Sequence, residues 1–263
     1  MSSSRVALLW LAAILITLAT ASWQRRTGPT YPARGAITLG GEEIRYRLIR
    51  SQNTGETLPV RIRAGAEVGG EVVWRRYPTD EPLQTLPLVR EGEELVAALP
   101  TLPAAGKLEY RVRLARGASS AEIPAKPAVA RFKGAVPAGV LVPHIAAMFL
   151  GMLFSNAAAL SALARRDQAR NQAWVAFALL TVGGLALGPV VQKYAFDAYW
   201  TGWPFGHDLT DNKTAVVVVA WAFALWRCRA GKLARGAIVA AALVTMIVFS
   251  IPHSLFGSEI KWQ

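Results

Sequence analysis

The chain carries three histidines, His144, His207 and His253. Imidazole is the side chain best suited to proton transfer near neutrality and to ligating transition metals or haem. The three come from stretches far apart in sequence. His144 follows Val142-Pro143, His253 follows Ile251-Pro252, and His207 sits inside the aromatic segment between Tyr199 and Asp211. Met148 and Met152 follow His144 at helical spacing, and Met246 precedes His253 on the same helical side as Ser250. With about 1.5 Å of rise per residue, Met152 and Met246 fall roughly 10–12 Å below their histidines. Thioethers beneath imidazoles suit copper, whereas one imidazole on each of two helices, His144 and His253, suits a b-type haem. Asp208 is placed to act as an oxygen ligand or as the outer partner of His207. The competing reading is structural: histidines cap helix ends and methionines fill bundle cores. No His-x-x-x-His or Cys-x-x-Cys pair strengthens the metal reading.

These residues need elements to carry them, and composition says which kind. Of 263 residues 53% are hydrophobic and 17% charged, with a mean hydropathy of +0.30. That profile excludes a disordered tail and an ordinary water-soluble enzyme. One Cys and nine Trp argue against a disulfide-stapled module and for contact with lipid. Five apolar stretches stand out, at 6–23, 140–163, 172–191, 211–227 and 233–251, each near the ~20 residues that cross a bilayer. Arg5, Arg165, Arg166, Arg170, Arg227, Arg229, Lys232 and Arg235 flank them on one side, with Asp167 as the acid among them. Basic short loops belong in the cytoplasm. The expected protein therefore sits in a bacterial inner membrane with its N-terminus inside, its β domain and C-terminus periplasmic, and Cys228 a free thiol on the reducing side. The expected parts are an anchor (1–23), an exported domain (24–138) and a four-helix membrane domain (139–263) with an exported loop at 192–210. Ala19-Thr20-Ala21 before Ser22 also fits a signal-peptidase site, and an uncleaved anchor is the preferred reading. The net charge of +12 is largely this topology signal. No basic stripe interleaved with stacking aromatics points to nucleic acid.

Residues 36–133 read as β structure. Ile44, Tyr46 and Leu48 alternate with charged neighbours, as do Val60 with Ile62, and Leu108, Tyr110, Val112 with Leu114. About seven short strands in about a hundred residues is the count of a sandwich. The Pro- and Gly-rich turn at 99–106 followed by Leu108-Glu109-Tyr110-Arg111-Val112 resembles the E–F corner of fibronectin type III and related Ig-like domains. The resemblance implies a sandwich fold in which Tyr110 hydrogen-bonds back across the corner, and it implies no chemistry.

In the apolar half, Tyr194, Phe196, Tyr199, Trp200, Trp203 and Phe205 form an aromatic belt of headgroup level. Thr210 or Asp211 is expected to cap the next helix, and Lys193 and Lys213 to snorkel or pair with Asp197 and Asp208. Gly184-x-x-x-Gly188 permits close helix approach, Pro189 kinks the turn after it, and Ser155 and Asn156 need partners in lipid. Ionisable groups at mid-depth, the mark of a proton-driven transporter, are missing from the spans. The strings at 188–196, 208–214 and 251–259 resemble a group of uncharacterised bacterial inner-membrane proteins with a C-terminal four-helix membrane region. That resemblance implies an architecture and lends no activity.

Two functions are expected in consequence. One is a redox or metal-handling protein using His144, His207, His253, Met148, Met152, Met246 and Asp208. The other is a non-catalytic accessory subunit bracing other membrane proteins. A hydrolase built on His253-Ser254 and Glu259 is a distant third.

Overall fold

The computed structural model describes residues 3–229 and 232–253. The chain is mixed α and β and divides into two compact units, one comprising Met1–Gly28 with Val136–Gly257, the other built on Pro29–Ala135.

The β unit holds ten described strands in two five-stranded sheets. One sheet runs β1 (Ala33–Leu39), β2 (Glu42–Leu48), β4 (Leu58–Arg63), β8 (Glu94–Leu99), β7 (Val89–Glu91). The other runs β3 (Ser51–Asn53), β10 (Ser119–Lys133), β9 (Lys107–Arg116), β5 (Gly69–Tyr77), β6 (Gln84–Pro87). Period-two alternation explains the layering. β4 alternates buried Leu58, Val60 and Ile62 with exposed Pro59, Arg61 and Arg63, and β9 does the same with Leu108, Tyr110, Val112 and Leu114. The inward residues of both sheets meet in one core, closed by Ile44, Leu48, Leu99, Ile123 and Phe132. The outward residues pair across strands: Arg61 with Glu94, Arg113 with Glu71 and Glu122, Arg75 with Glu109.

The strand count exceeds the expected seven because β3, β6 and β7 are short edge or bridging pieces, too brief to show a period. Tyr110 is buried as expected, but its hydroxyl donates to Ile49 O at 2.7 Å, far upstream between β2 and β3. It ties the two sheets together rather than closing its own turn. Burial pushes its phenol well above the ordinary tyrosine range.

The helical unit comprises α1 (Ser3–Thr27), α2 (Ala138–Leu163), α3 (Gln168–Leu180), a π-helical segment (Thr181–Leu187) continuing directly into α4 (Gly188–Phe196), α5 (Leu209–Arg227) and α6 (Arg235–Ser250). Three rods, Ser4–Thr27, Ala138–Leu163 and Gln168–Phe196, are long and apolar enough to cross a membrane, and α6 is a shorter apolar helix. The second half of the 172–191 stretch does not stop where hydropathy falls. It runs on to Phe196, where Asp197 ends it in the left-handed conformation, so the loop begins five residues later than expected. The π-helical segment includes Gly183 and Gly184 and passes at Gly188 into α4, whose first turn holds Pro189.

The core of this unit mixes alanines with a few large side chains, Leu180, Trp221, Ile238 and Phe249 among them. Ala158, Ala162, Ala169, Ala173 and Ala176 are buried, while Leu8, Leu11, Leu15, Phe149, Val219 and Ile247 face outward. Small residues let helix backbones approach, and large apolar ones on the outside suit a lipid solvent. Polar ties run between the rods. Asn156 of α2 donates to Thr17 Oγ1 of α1 at 2.9 Å, and Trp221 of α5 donates to Thr245 of α6 at 2.9 Å. Asn156 thus finds the partner it needs, whereas Ser155 Oγ is buried without one. Cys228 is a free, buried thiol at the end of α5.

Candidate functional site

Polar groups gather at the end of the helical unit where α5 begins and α6 finishes. Asp208 is the N-cap of α5, its carboxylate accepting from Thr210 N at 2.7 Å. It takes the role expected of Thr210 or Asp211. Asp211 instead turns back from the first helical turn and is buried, accepting from the amides of Thr201 at 2.7 Å and Gly202 at 3.1 Å. Its neighbour Asn212 accepts from Trp203 N at 2.7 Å. The next residue, Lys213, is only 4% exposed and donates to Ile251 O at 2.8 Å. Three successive residues thereby clamp the loop on one side and the end of α6 on the other. Gln24 of α1 donates to the same Ile251 carbonyl at 3.4 Å. An ammonium at the carbonyl end of α6 also complements the negative end of that helix dipole.

The histidines divide. His144 Nδ1 lies 2.8 Å from Gly183 O in the π-helical segment. A carbonyl only accepts, so Nδ1 carries the proton and Nε2 keeps its lone pair. His253 stands within electrostatic reach of Lys213, His144 and Asp208. Its side chain is exposed, and partial desolvation, with the Lys213 ammonium adding to it, lowers its pKa. His207 is an exposed side chain of the loop, next to Asp208 in sequence. The structure therefore brings His144 and His253 within electrostatic reach of each other and of Lys213 and Asp208.

The methionines follow their helices. Met148 packs its sulfur against the Gly183–Gly184 face of the π-helical segment, Met152 is buried in the helical core, and Met246 is half-buried on α6. Among the described residues no group of three or more His, Cys, Asp or Glu side chains is placed to hold a metal ion. Two imidazoles beside an ammonium make a poor seat for a cation, because the lysine charge opposes it. The remaining members of the hydrolase reading, Ser254 and Glu259, lie outside the described residues.

The aromatic loop is the most built part of this end. Amides 201, 202 and 203 are taken by Asp211 and Asn212; Phe205 N and Gly206 N donate to Gly202 O, and Asp208 N donates to Thr201 O. A Cβ on Gly206 would stand 2.4 Å from Thr201 O, and one on Gly202 would stand 2.7 Å from Asn212 Oδ1, so the tight fold requires both glycines. Outside this frame Trp203 is 75% exposed and Phe205 83% exposed. Lys193 pairs with Asp197 at 2.6 Å, as expected.

Sequence reasoning singles out the histidines and misses Gln24, Asp211, Asn212 and Lys213 as a set. The signal is present: three polar residues in a row at the mouth of an otherwise apolar helix must each have a partner. No protein-family model, curated protein or solved structure matches the chain.

Proposed function

We propose that this protein is a membrane-anchored accessory subunit, in which the helical unit lies in a bacterial inner membrane and presents an Ig- or fibronectin-type β sandwich on the periplasmic side. The observation that carries this reading is how the polar side chains are spent. In the β unit the arginines and glutamates of the outer faces neutralise one another across strands. In the helical unit Asn156, Trp221, Asp211, Asn212 and Lys213 hold one segment to another. Chemistry of that kind builds a scaffold. The kinship with inner-membrane proteins carried by the strings at 188–196 and 208–214 belongs to the same proposal. Native electrophoresis of membranes solubilised in mild detergent tests it. The expected result is a complex larger than the chain that persists when His144 and His253 are replaced by alanine; migration as the lone chain contradicts it.

One observation favours the redox or metal reading instead. The Gly183 carbonyl fixes His144 in the tautomer whose Nε2 lone pair is open, as an outer-shell carbonyl does for a ligating imidazole. Copper or b-type haem between His144 and His253 is the form it would take. Metal analysis and a visible spectrum of the purified protein decide: a stoichiometric metal or a Soret band abolished by His144→Ala establishes it, and neither signal removes it.

A further inference from the structure

We infer that the loop tip Trp203–Phe205 is an interfacial wedge that sits in the headgroup–acyl boundary of the bilayer, held in shape by Asp211 and Asn212. The inference rests on the membrane reading of the helical unit and adds a site to it.

Three observations converge. First, the loop around its tip is densely hydrogen-bonded within the protein. Six backbone amides between residues 201 and 208 donate within the protein, Pro204 has none to offer, and the Trp200 indole N–H donates to Trp203 O at 3.1 Å. A loop facing bulk water has no need of this, because water satisfies its amides. A loop entering a medium poor in water must satisfy them itself, since each one left unpaired costs several kcal/mol there. Second, the two aromatic side chains at its tip are displayed outward, not folded back. Trp203 and Phe205 are the most exposed large apolar residues among those described. Third, the loop leaves directly from the end of the apolar rod Gln168–Phe196. At about 1.5 Å per residue its 29 residues reach about 43 Å, beyond a hydrocarbon core of about 30 Å. The rod's last turn and the loop after it then stand at headgroup level, where Trp and Tyr partition best. Tyr194 and Tyr199 are exposed beside it, and Lys193 stacks near the Tyr199 ring at 5.6 Å.

The frame explains why a carboxylate is buried here. Asp211 is an acceptor for two amides at once, and Asn212 for a third, so the tip is rigid before it meets lipid and loses little entropy on insertion. The partner is a lipid surface rather than a second protein, because the exposed Trp203 and Phe205 follow the end of an apolar rod long enough to cross a bilayer, at the level where aromatic side chains partition best.

The test uses the full chain with Cys228→Ala, reconstituted in vesicles of phosphatidylethanolamine and phosphatidylglycerol. Spin labels are placed singly at Trp203→Cys and Phe205→Cys, with Phe149→Cys as a bilayer reference and Asp197→Cys as a water reference. Collision rates with molecular oxygen and with a water-soluble nickel chelate are compared at each site. The expected oxygen-to-nickel ratio at 203 and 205 is several-fold above that at 197 and below that at 149. Adding Asp211→Ala, or Asn212→Ala if the first fails to fold, is expected to mobilise the labels and drop the ratio toward the value at 197. A ratio at 205 equal to that at 197, or shielding from both reagents as a covering protein would give, overturns the wedge. If the label at 149 also reads as water-exposed, the membrane reading itself has failed, and the two failures are thereby told apart.

Discussion

The two units solve the burial problem in opposite directions. In the β unit the large apolar side chains Ile44, Leu58, Leu108 and Phe132 are inside, and arginine and glutamate cover the outside. In the helical unit alanines share the interior with a few large side chains such as Trp221, Ile238 and Phe249, while many Leu, Ile, Val and Phe side chains cover the outside. The hydrophobic effect dictates the first arrangement, since each buried large side chain is worth about 1.5–3 kcal/mol against water. The second makes sense where the solvent is itself apolar and helices associate by close packing and hydrogen bonds. One chain thus carries the imprint of two solvents.

The comparison breaks first at its largest residues. Phe132→Ala opens the β core and is expected to cost about 3–5 kcal/mol, whereas Phe149→Ala on the helical exterior is expected to fall within about 0.5 kcal/mol. Chemical denaturation of the purified protein, followed by protease susceptibility of each unit, separates the two. Equal losses would mean that Phe149 faces protein after all.

Next comes the small-residue interior. Ala158 is fully buried in α2, and Ala158→Leu is expected to cost about 1–3 kcal/mol by forcing the rods apart. Thermal unfolding in detergent checks it. A neutral result would show that the alanine seam is loose and that the outward residues do the holding.

Both arrangements are readable in the sequence, to different depths. Alternation along Leu108–Leu114 and the apolar runs announce the two classes of element, because the period-two and ~20-residue signals are local. The short strands β3, β6 and β7 leave no period to read. The clamp at Asp211-Asn212-Lys213 is hidden for another reason. Its partners, Thr201, Trp203 and Ile251, are set by how a loop and a distant helix end fold back, and spacing along the chain carries no trace of that. The histidines have the reverse fate: their shared level can be argued from topology, but the Gly183 contact that fixes His144 depends on a π-helical segment that hydropathy does not reveal.

A smaller effect sharpens the β side. Tyr110→Phe removes the hydroxyl bond to Ile49 O and is expected to cost about 1 kcal/mol. Because the folded phenol titrates above its unfolded counterpart, the protein holds the neutral form. The contribution is therefore complete below the unfolded tyrosine pKa of about 10 and is lost as pH rises from there toward the folded value. Stability curves of wild type and Tyr110→Phe should converge above that pH; a gap that persists unchanged would mean the bond is not what the hydroxyl contributes.

The smallest effect belongs to the helical ties. Asn156→Ala frees Thr17 and is expected to cost about 0.6 kcal/mol, the usual worth of such a bond between membrane helices. A loss several times larger in thermal unfolding would show that α1 is held to α2 mainly by this contact.

The most direct measurement of the two-solvent account is side-specific cysteine labelling in intact cells. Single cysteines are placed at Gln52→Cys in the β unit, Asp197→Cys after α4 and Asp167→Cys between α2 and α3, all in a Cys228→Ala background, and exposed to a membrane-impermeant maleimide. The account expects labelling at 52 and 197 from outside and labelling at 167 only after the membrane is opened. Labelling of 52 and 167 from the same side would contradict it.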